Sequence, residues 1–399
     1  MDVYLVGGAV RDKLLGYPFN ENDWVVVGAQ PKELLDKGFL QVGSDFPVFL
    51  HPQSKEEYAL ARTERKSGVG YKGFECHAGI HVTLEEDLSR RDLTINAIAE
   101  DGDGNLIDPY GGKKDLSEKI LRHVSGAFTE DPLRVLRVAR FAARYHHLGF
   151  KIAGETLLLM KSISDSGELE HLTPERVWVE TKRALEEQSP RIYIEVLRQC
   201  NALAKLFPEI ERLFGESYAN SNRNIGIQTL SSLDHVVALD SDAATRFAVL
   251  VGSIGQGETL ASKAAIVPEK NNEIDELCDR LKVPNRYRAI SKAVVKYRSL
   301  CHSFRSLKPS SIVEILKGVG AFREPSNLKQ FIICCEADDK SLQQANGSSY
   351  EAGIWLIKVF NKLKSIDNKE LIAKGFTGLE LGREIDRLRE IIIAELTEK

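Results

Sequence analysis

The chain has 399 residues, of which 43% are hydrophobic and 28% charged, and its formal net charge is −4. That length can bury a substantial core in more than one domain, and the composition is that of an ordinary globular protein. The charge argues against a strongly basic, non-specific nucleic-acid binder, while leaving room for a local basic groove. No apolar run approaches the ~20 residues of a membrane span.

The first residues, Met1-Asp2-Val3, enter a strand-like pattern at once, so no signal peptide is expected. Tyr4–Val6 and Trp24–Val27 read as short buried strands. Between them Gly7-Gly8 marks a turn, and Arg11-Asp12 opens a short helix. Glu21 and Asp23 stand two apart at the entrance of the second strand, on one face of it. Paired carboxylates beside backbone amides freed by glycines suit a metal-bound polyphosphate; exposed acids next to a tight turn look the same in isolation. Phe46–Leu50 and Glu57–Ala61 read as a further strand pair. Thr63–Gly73 crowds Arg65, Lys66 and Lys72 among Gly68, Gly70 and Gly73, and reads as a mobile basic loop. In Arg90-Arg91-Asp92 two guanidiniums can bracket a triphosphate, with Asp92 or Asn96 to bond a ribose hydroxyl. A solvated helix start is the plain alternative. Ala97–Ala99 and Leu106–Asp108 flank the turn-rich Asp101–Asn105, a hairpin signal.

After Asp115 the period changes. Pro132–Arg144 carries Leu133, Leu136 and Phe141 at helical spacing, with Pro132 in the first turn. Asp131 and Arg134 are three apart and are expected on one helix face, with Arg137 and Arg140 extending the row. Such a row offers an acceptor and a line of donors; surface ion pairs of little energetic weight are the alternative. Gly167–Leu185 and Pro190–Leu203 continue the helical pattern, and the rest stays helical with breaks near Gly215–Asn224, Gly252–Gly257, Pro284 and Gly347. The expected plan is α+β: an α/β head over 1–122, a helical neck over 123–205, and a helical body and tail over 206–399. Cys76, Cys200, Cys278, Cys301, Cys334 and Cys335 lack metal-type spacing and read as reduced thiols of a cytoplasmic protein.

Five motifs occur in order: Gly7-Gly8-Ala9-Val10-Arg11-Asp12 with its acidic pair, Arg90-Arg91-Asp92 with Thr94 and Asn96-Ala97, and Asp108-Pro109-Tyr110-Gly111-Gly112 with Asp115-Leu116. Glu130-Asp131 with Arg134 and Arg137 follows, then Thr173-Pro174-Glu175-Arg176-Val177-Trp178. Together they resemble the bacterial CCA-adding enzymes, tRNA nucleotidyltransferases of the class shared with bacterial poly(A) polymerase. The resemblance implies a polymerase β-like nucleotidyltransferase head. It implies Mg²⁺ at Glu21 and Asp23, nucleotide contacts from Gly8, Arg11 and Arg91, and Asp92 at the ribose. Asp131 and Arg134 would pair with the base edge of CTP and then of ATP, with Arg137 and Arg140 also binding nucleotide. The stretch from Arg62 to Gly73 would be the family's flexible loop, and tRNA the acceptor. The family usually has Asp where this chain has Glu21. It also carries a His-Asp metal-phosphohydrolase domain where this chain has Gly252-Ser253. With His235 the one histidine between His171 and His302, residues of about 220–330 read as a degenerate remnant without that activity. Alternatives are a poly(A) polymerase, a partial A-adding or CC-adding enzyme, or a catalytically impaired RNA-binding protein.

Overall fold

The computed structural model describes residues 1–19, 22–42, 48–66, 74–217, 223–255, 272–343 and 349–397. They fall into two compact units, Met1–Leu206 and Phe207–Lys399.

The first unit is built on a sheet. Its elements are β1 (Asp2–Val6), α1 (Gly8–Leu15), β2 (Asp23–Val27), α2 (Pro31–Asp36), β3 (Leu40–Val42), β4 (Val48–Leu50), β5 (Glu57–Leu60), β6 (Arg62–Lys66), β7 (Phe74–Ala78) and α3 (Leu84–Ser89). There follow β8 (Ala99–Glu100), β9 (Leu106–Ile107), α4 (Gly112–Glu118), β10 (Ile120–Leu121), α5 (Leu133–Tyr145), β11 (Lys151–Ile152), α6 (Gly154–Asp165), α7 (Pro174–Glu186), α8 (Pro190–Gln199) and α9 (Ala202–Leu206). Seven strands form one mixed sheet in the order β3-β4-β5-β2-β1-β8-β9. Only β2 and β5 run parallel among its pairs. Alternation sorts neighbours to opposite faces: Val25 packs with Val6, Ala61, Leu84, Leu88, Ala97 and Ala99, while Val26 packs with Ala29, Leu34, Phe49 and Leu60.

The hairpin expected between residues 97 and 108 is present, with Ala99 opposite Ile107. The expected loop over 63–73 is corrected in part. Arg62–Lys66 is strand β6, paired antiparallel with Phe74–Ala78, and residues 67–73 lie outside the described residues. A ladder formed with a partner beyond a glycine-rich connection leaves no local apolar alternation to read. The expected helix over 167–185 is split, because Pro174 drives Thr173 to an extended ψ of 137° and α7 starts only there. Helix α5 packs against α7 and α8, and nearly all of its residues are buried, Arg134 and Arg140 included. Helix α3 opens on a reciprocal cap: Thr83 Oγ1 accepts from the Glu86 amide and Glu86 Oε2 from the Thr83 amide. That cap fixes a two-turn helix whose end is Arg90.

The described part of the second unit is helical, with one isolated bridge between Ser217 and Asn224. Its helices are α10 (Pro208–Arg212), α11 (Ile225–Leu239), α12 (Ala243–Val251), α13 (Asn272–Arg280), α14 (Asn285–His302), α15 (Pro309–Gly318), α16 (Pro325–Gln343), α17 (Glu351–Leu363), α18 (Asn368–Ala373) and α19 (Gly378–Thr397). Helices α11, α12, α14 and α16 pack on one another. At the end of α12, Arg298 of α14 donates to Ser253 Oγ at 3.3 Å and lies 3.4 Å from the Asp338 carboxylate of α16. Among the described residues no helix is long and apolar enough to cross a membrane, and five cysteines are buried and free.

Candidate active site

Strand β1 ends at Val6, and Gly7 makes the turn into α1 with φ +69°. A Cβ at Gly7 would lie 2.8 Å from Arg91 Nη1 and 4.0 Å from Asp23 Oδ2, so the turn is pressed against both side chains. Asp23 opens β2. In register it stands between Val6 of β1 and Glu57 of β5, so two carboxylate residues head neighbouring parallel strands. Glu21 lies outside the described residues.

Beside this edge is a cavity of about 640 Å³. Gly8, Arg11, Asp23, Arg91, Asp92, Asp131, Arg134, Arg137 and Arg140, all singled out from sequence, line it together. Arg90, expected with Arg91 to bracket a triphosphate, lines it too, as do Glu57, Arg62, Arg144 and Arg176, which have no individual role assigned from sequence. Arg176 lies inside the Thr173–Trp178 motif, and that is its one sequence signal. Glu57 and Arg144 carried none, because their approach depends on strand register and on the packing of α5.

The side chains are already engaged with one another. Arg11 donates from Nε and Nη2 to the two Asp12 oxygens at 2.8 and 2.9 Å, and from Nη1 to Asn96 Oδ1 at 2.5 Å. Its guanidinium lies over the Phe141 and Tyr145 rings, 5.1 and 5.3 Å from their centroids. Burial pulls its pKa down, but Asp12 outweighs that and holds the guanidinium charged. Asn96 also donates from Nδ2 to Asp92 Oδ1 at 2.8 Å, linking Arg11 to Asp92. Asp92 accepts from the Leu93 amide at 2.9 Å and from Arg137 Nε at 2.7 Å. Burial pushes the Asp92 carboxyl up; Arg137 and Asn96 overcome this and hold it well below the usual carboxylate range.

Asp131 and Arg134 differ from the expected helical row. Helix α5 begins at Leu133, so Asp131 precedes it and its Oδ1 accepts from the Leu133 amide at 3.1 Å, as a capping side chain does. Its Oδ2 accepts from Arg176 Nη2 at 2.8 Å. Arg134, 6% exposed, donates from Nη1 to the Ala127 carbonyl at 2.7 Å and from Nη2 to the Arg90 carbonyl. Pro132 accounts for the shift: its fixed φ of −57° starts the helix after Asp131 and leaves that residue extended.

Paired carboxylate residues at the heads of neighbouring strands, a glycine turn and a cavity dominated by arginine make a site suited to a polyanion. Residues 3–122 match the family described as the poly A polymerase head domain. Residues 149–214 match the family described as the probable RNA and SrmB-binding site of polymerase A. Among solved structures, the fold is shared over nearly the whole chain with CCA-adding enzymes. A complex of CCA-adding enzyme with ATP is 23% identical with a TM-score of 0.66, covering 98% of this chain and 85% of that one. A complex with CTP is 22% identical with a TM-score of 0.66, over 100% and 87%. Thermotoga maritima CCA-adding enzyme complexed with tRNA-CCA is 22% identical with a TM-score of 0.64, over 99% and 91%.

Proposed function

We propose that this protein is a CCA-adding tRNA nucleotidyltransferase that adds C, C and A in turn to a tRNA 3′ end from CTP and ATP. The observation that carries the reading is the convergence in one cavity of Asp23, a set of fixed arginines, and the Asp131–Arg134 pair. Solved CCA-adding enzymes of the same fold, in complexes with ATP, CTP and tRNA-CCA, support it.

In this reading the triphosphate lies against Arg11 and Arg91 and the Gly8 amide, and Arg137 and Arg140 complete the nucleotide site. Asp92 faces the ribose. Asp131 and Arg134 present an acceptor and donors to the base edge, which distinguishes cytosine from adenine because their donor and acceptor patterns differ. The tRNA hydroxyl attacks the α-phosphorus and pyrophosphate leaves; positioning and fixed charge supply most of the acceleration. The residues fit a hard divalent cation: Asp23 heads its strand beside Glu57, both oxygen donors at the cavity edge. Glu21 and Asp23 would hold Mg²⁺, which when bound lowers the pKa of the attacking hydroxyl and offsets phosphate charge. Glu21 reaches further than the Asp usual in the family, and activity with it is part of the proposal.

The division of labour in this reading is a catalytic head over 1–122, a neck over 123–205 that carries the base reader, and a body over 206–399 that contacts tRNA. The remnant of about 220–330 is read as without phosphohydrolase activity, since Gly252-Ser253 stands where the family has its His-Asp pair and, among the described residues, no group of three or more His, Cys, Asp or Glu could hold a metal ion. A cytoplasmic setting agrees with the buried free thiols.

The test is incubation of tRNA lacking its 3′ end with CTP, ATP and Mg²⁺, followed by sequencing of the product ends. Ends completed to CCA are expected. Homopolymeric A tails would instead identify a poly(A) polymerase, which shares this head family. Addition of A alone or CC alone would identify a partial enzyme, and no extension an impaired RNA-binding protein.

A further inference from the structure

Behind the cavity lie three carboxylates that do not line it, and each holds a pair of arginines that do. Asp12 accepts from Arg11 Nε at 2.8 Å and from Arg144 Nη2 at 3.3 Å. Asp87 accepts from Arg90 Nη2 at 2.6 Å and from Arg91 Nη2 at 3.1 Å. Glu180 of α7 accepts from Arg140 Nε at 2.6 Å and lies 3.8 Å from Arg137 Nη1, two arginines one turn apart on α5. Asp12, Asp87 and Glu180 are 3%, 0% and 3% exposed, so a nucleotide in the cavity does not reach them.

We infer that Asp12, Asp87 and Glu180 are positioning residues, buried anions that hold three pairs of cavity arginines in one phosphate-ready geometry from behind. The inference rests on the nucleotidyl-transfer reading of the cavity. Guanidiniums aimed at one polyanion repel each other. A carboxylate behind each pair offsets that repulsion and takes the donors that do not face the ligand, so little reorganisation remains when charge shifts during transfer. Arg137 shows the arrangement most fully. It is caught between Asp92 at 2.7 Å and Glu180, which leaves it little freedom to follow a ligand. Buried ion pairs of this kind are weak evidence for stability, because desolvation opposes them. A role in geometry explains better why three carboxylates are buried against six arginines of one cavity.

This arrangement predicts a separation of kinetic constants. Glu180→Gln keeps an acceptor oxygen for Arg140 but removes one negative charge from beneath the phosphates. Since Glu180 touches no nucleotide, ground-state binding does not weaken, while the loosened arginines stabilise the transition state less. The experiment measures kcat and KM for CTP and for ATP in the full-length wild type and in E180Q, using tRNA lacking its 3′ end. The same two proteins are compared for CTP binding by equilibrium dialysis without tRNA. The expected result is a kcat lower by about tenfold or more, with KM and CTP affinity unchanged or tighter. A raised KM with kcat intact, weakened CTP binding, or no change in either constant would overturn the inference. Should E180Q fail to fold in thermal melts, D87N is run through the same measurements with the same expected and overturning outcomes. A wild type that binds CTP but never extends tRNA would count against the proposed function; the dialysis comparison would then decide the positioning role by itself.

Discussion

Arg176 of α7 grips Asp131 at 2.8 Å through its Nη2, and the other Asp131 oxygen is already used by the Leu133 amide. The residue proposed to read the base edge is thereby held by α7 from one side and by the start of α5 from the other. Asp131→Ala is expected to blur the choice between C and A more than it weakens triphosphate binding. Arg176→Gln should do the same to a smaller degree, by letting the carboxylate turn. Both side chains are about a quarter exposed, so the pair contributes only about 0–1 kcal/mol to stability. Misincorporation frequencies at each of the three positions, read by sequencing product ends, check this. Clean C, C, A ends from Asp131→Ala would remove Asp131 from base reading.

Asp23→Ala should abolish nucleotide incorporation while leaving tRNA binding nearly intact. Single-turnover extension and a filter-binding titration with the same tRNA measure the two separately. Retained turnover would exclude Asp23 from the metal site.

Gly7→Ala places a methyl group 2.8 Å from Arg91 Nη1 on a backbone at φ +69°. Strain of about 1 kcal/mol or more is expected, together with displacement of Arg91 and a drop in kcat/KM of at least about tenfold. Thermal melts and extension kinetics on G7A test both parts. Wild-type kinetics would show that the close approach of turn and arginine is incidental.

The Asp87 and Asp92 carboxyls are each pushed up by burial and pulled below the usual range by stronger arginine contacts, from Arg90 and Arg91 at Asp87 and from Arg137 at Asp92. With the folded pKa depressed, each contributes stability that is present above the unfolded value of ~3.9 and lost as pH falls through the folded one. The first unit should therefore lose stability on acidification below about pH 4. Asp92→Asn should flatten that dependence and, by removing the nearer of Arg137's two carboxylate partners, cost about 3 kcal/mol at neutral pH. Urea unfolding of wild type and D92N from pH 3 to 7 makes the comparison.

In the second unit the sign reverses. Burial pulls the His302 imidazole down, but the Asp338 carboxylate 3.1 Å away outweighs it and raises the pKa above the ordinary histidine value. Arg298, Cys301 and Tyr350 also face this ring, the Tyr350 hydroxyl at 3.0 Å from Nδ1. A raised folded pKa gives stability fully present below ~6.5 and lost as pH rises through the folded value. Denaturant midpoints should fall across that interval in wild type and stay flat in His302→Gln; a parallel decline in both would assign the loss to another group.

Much of this protein could be read from its sequence alone, and the limit has a physical cause. Short contiguous motifs announced themselves because their chemistry is local: the Gly7-Gly8 turn, the Arg90-Arg91-Asp92 run, and the spaced arginines of α5. The alternation of β1 and β2 and the 3.6-residue period after Asp115 set the α+β plan for the same reason. Asp87 and Glu180 carry no local signal, and Asp12 shows only as the end of the first motif, because burial and partner choice depend on segments far apart in the chain. Asp12 meets Arg144 and Glu180 meets Arg140 only once the helices of the neck have packed. Register across β2 and β5 brings Glu57 beside Asp23, and the proline-set start of α5 turned the expected helical position of Asp131 into a cap. The sequence by itself determined which chemical groups this cavity can draw upon. Only the tertiary structure decided which of them face the cavity and which stand behind it, because that depends on long-range packing and desolvation that no local pattern records.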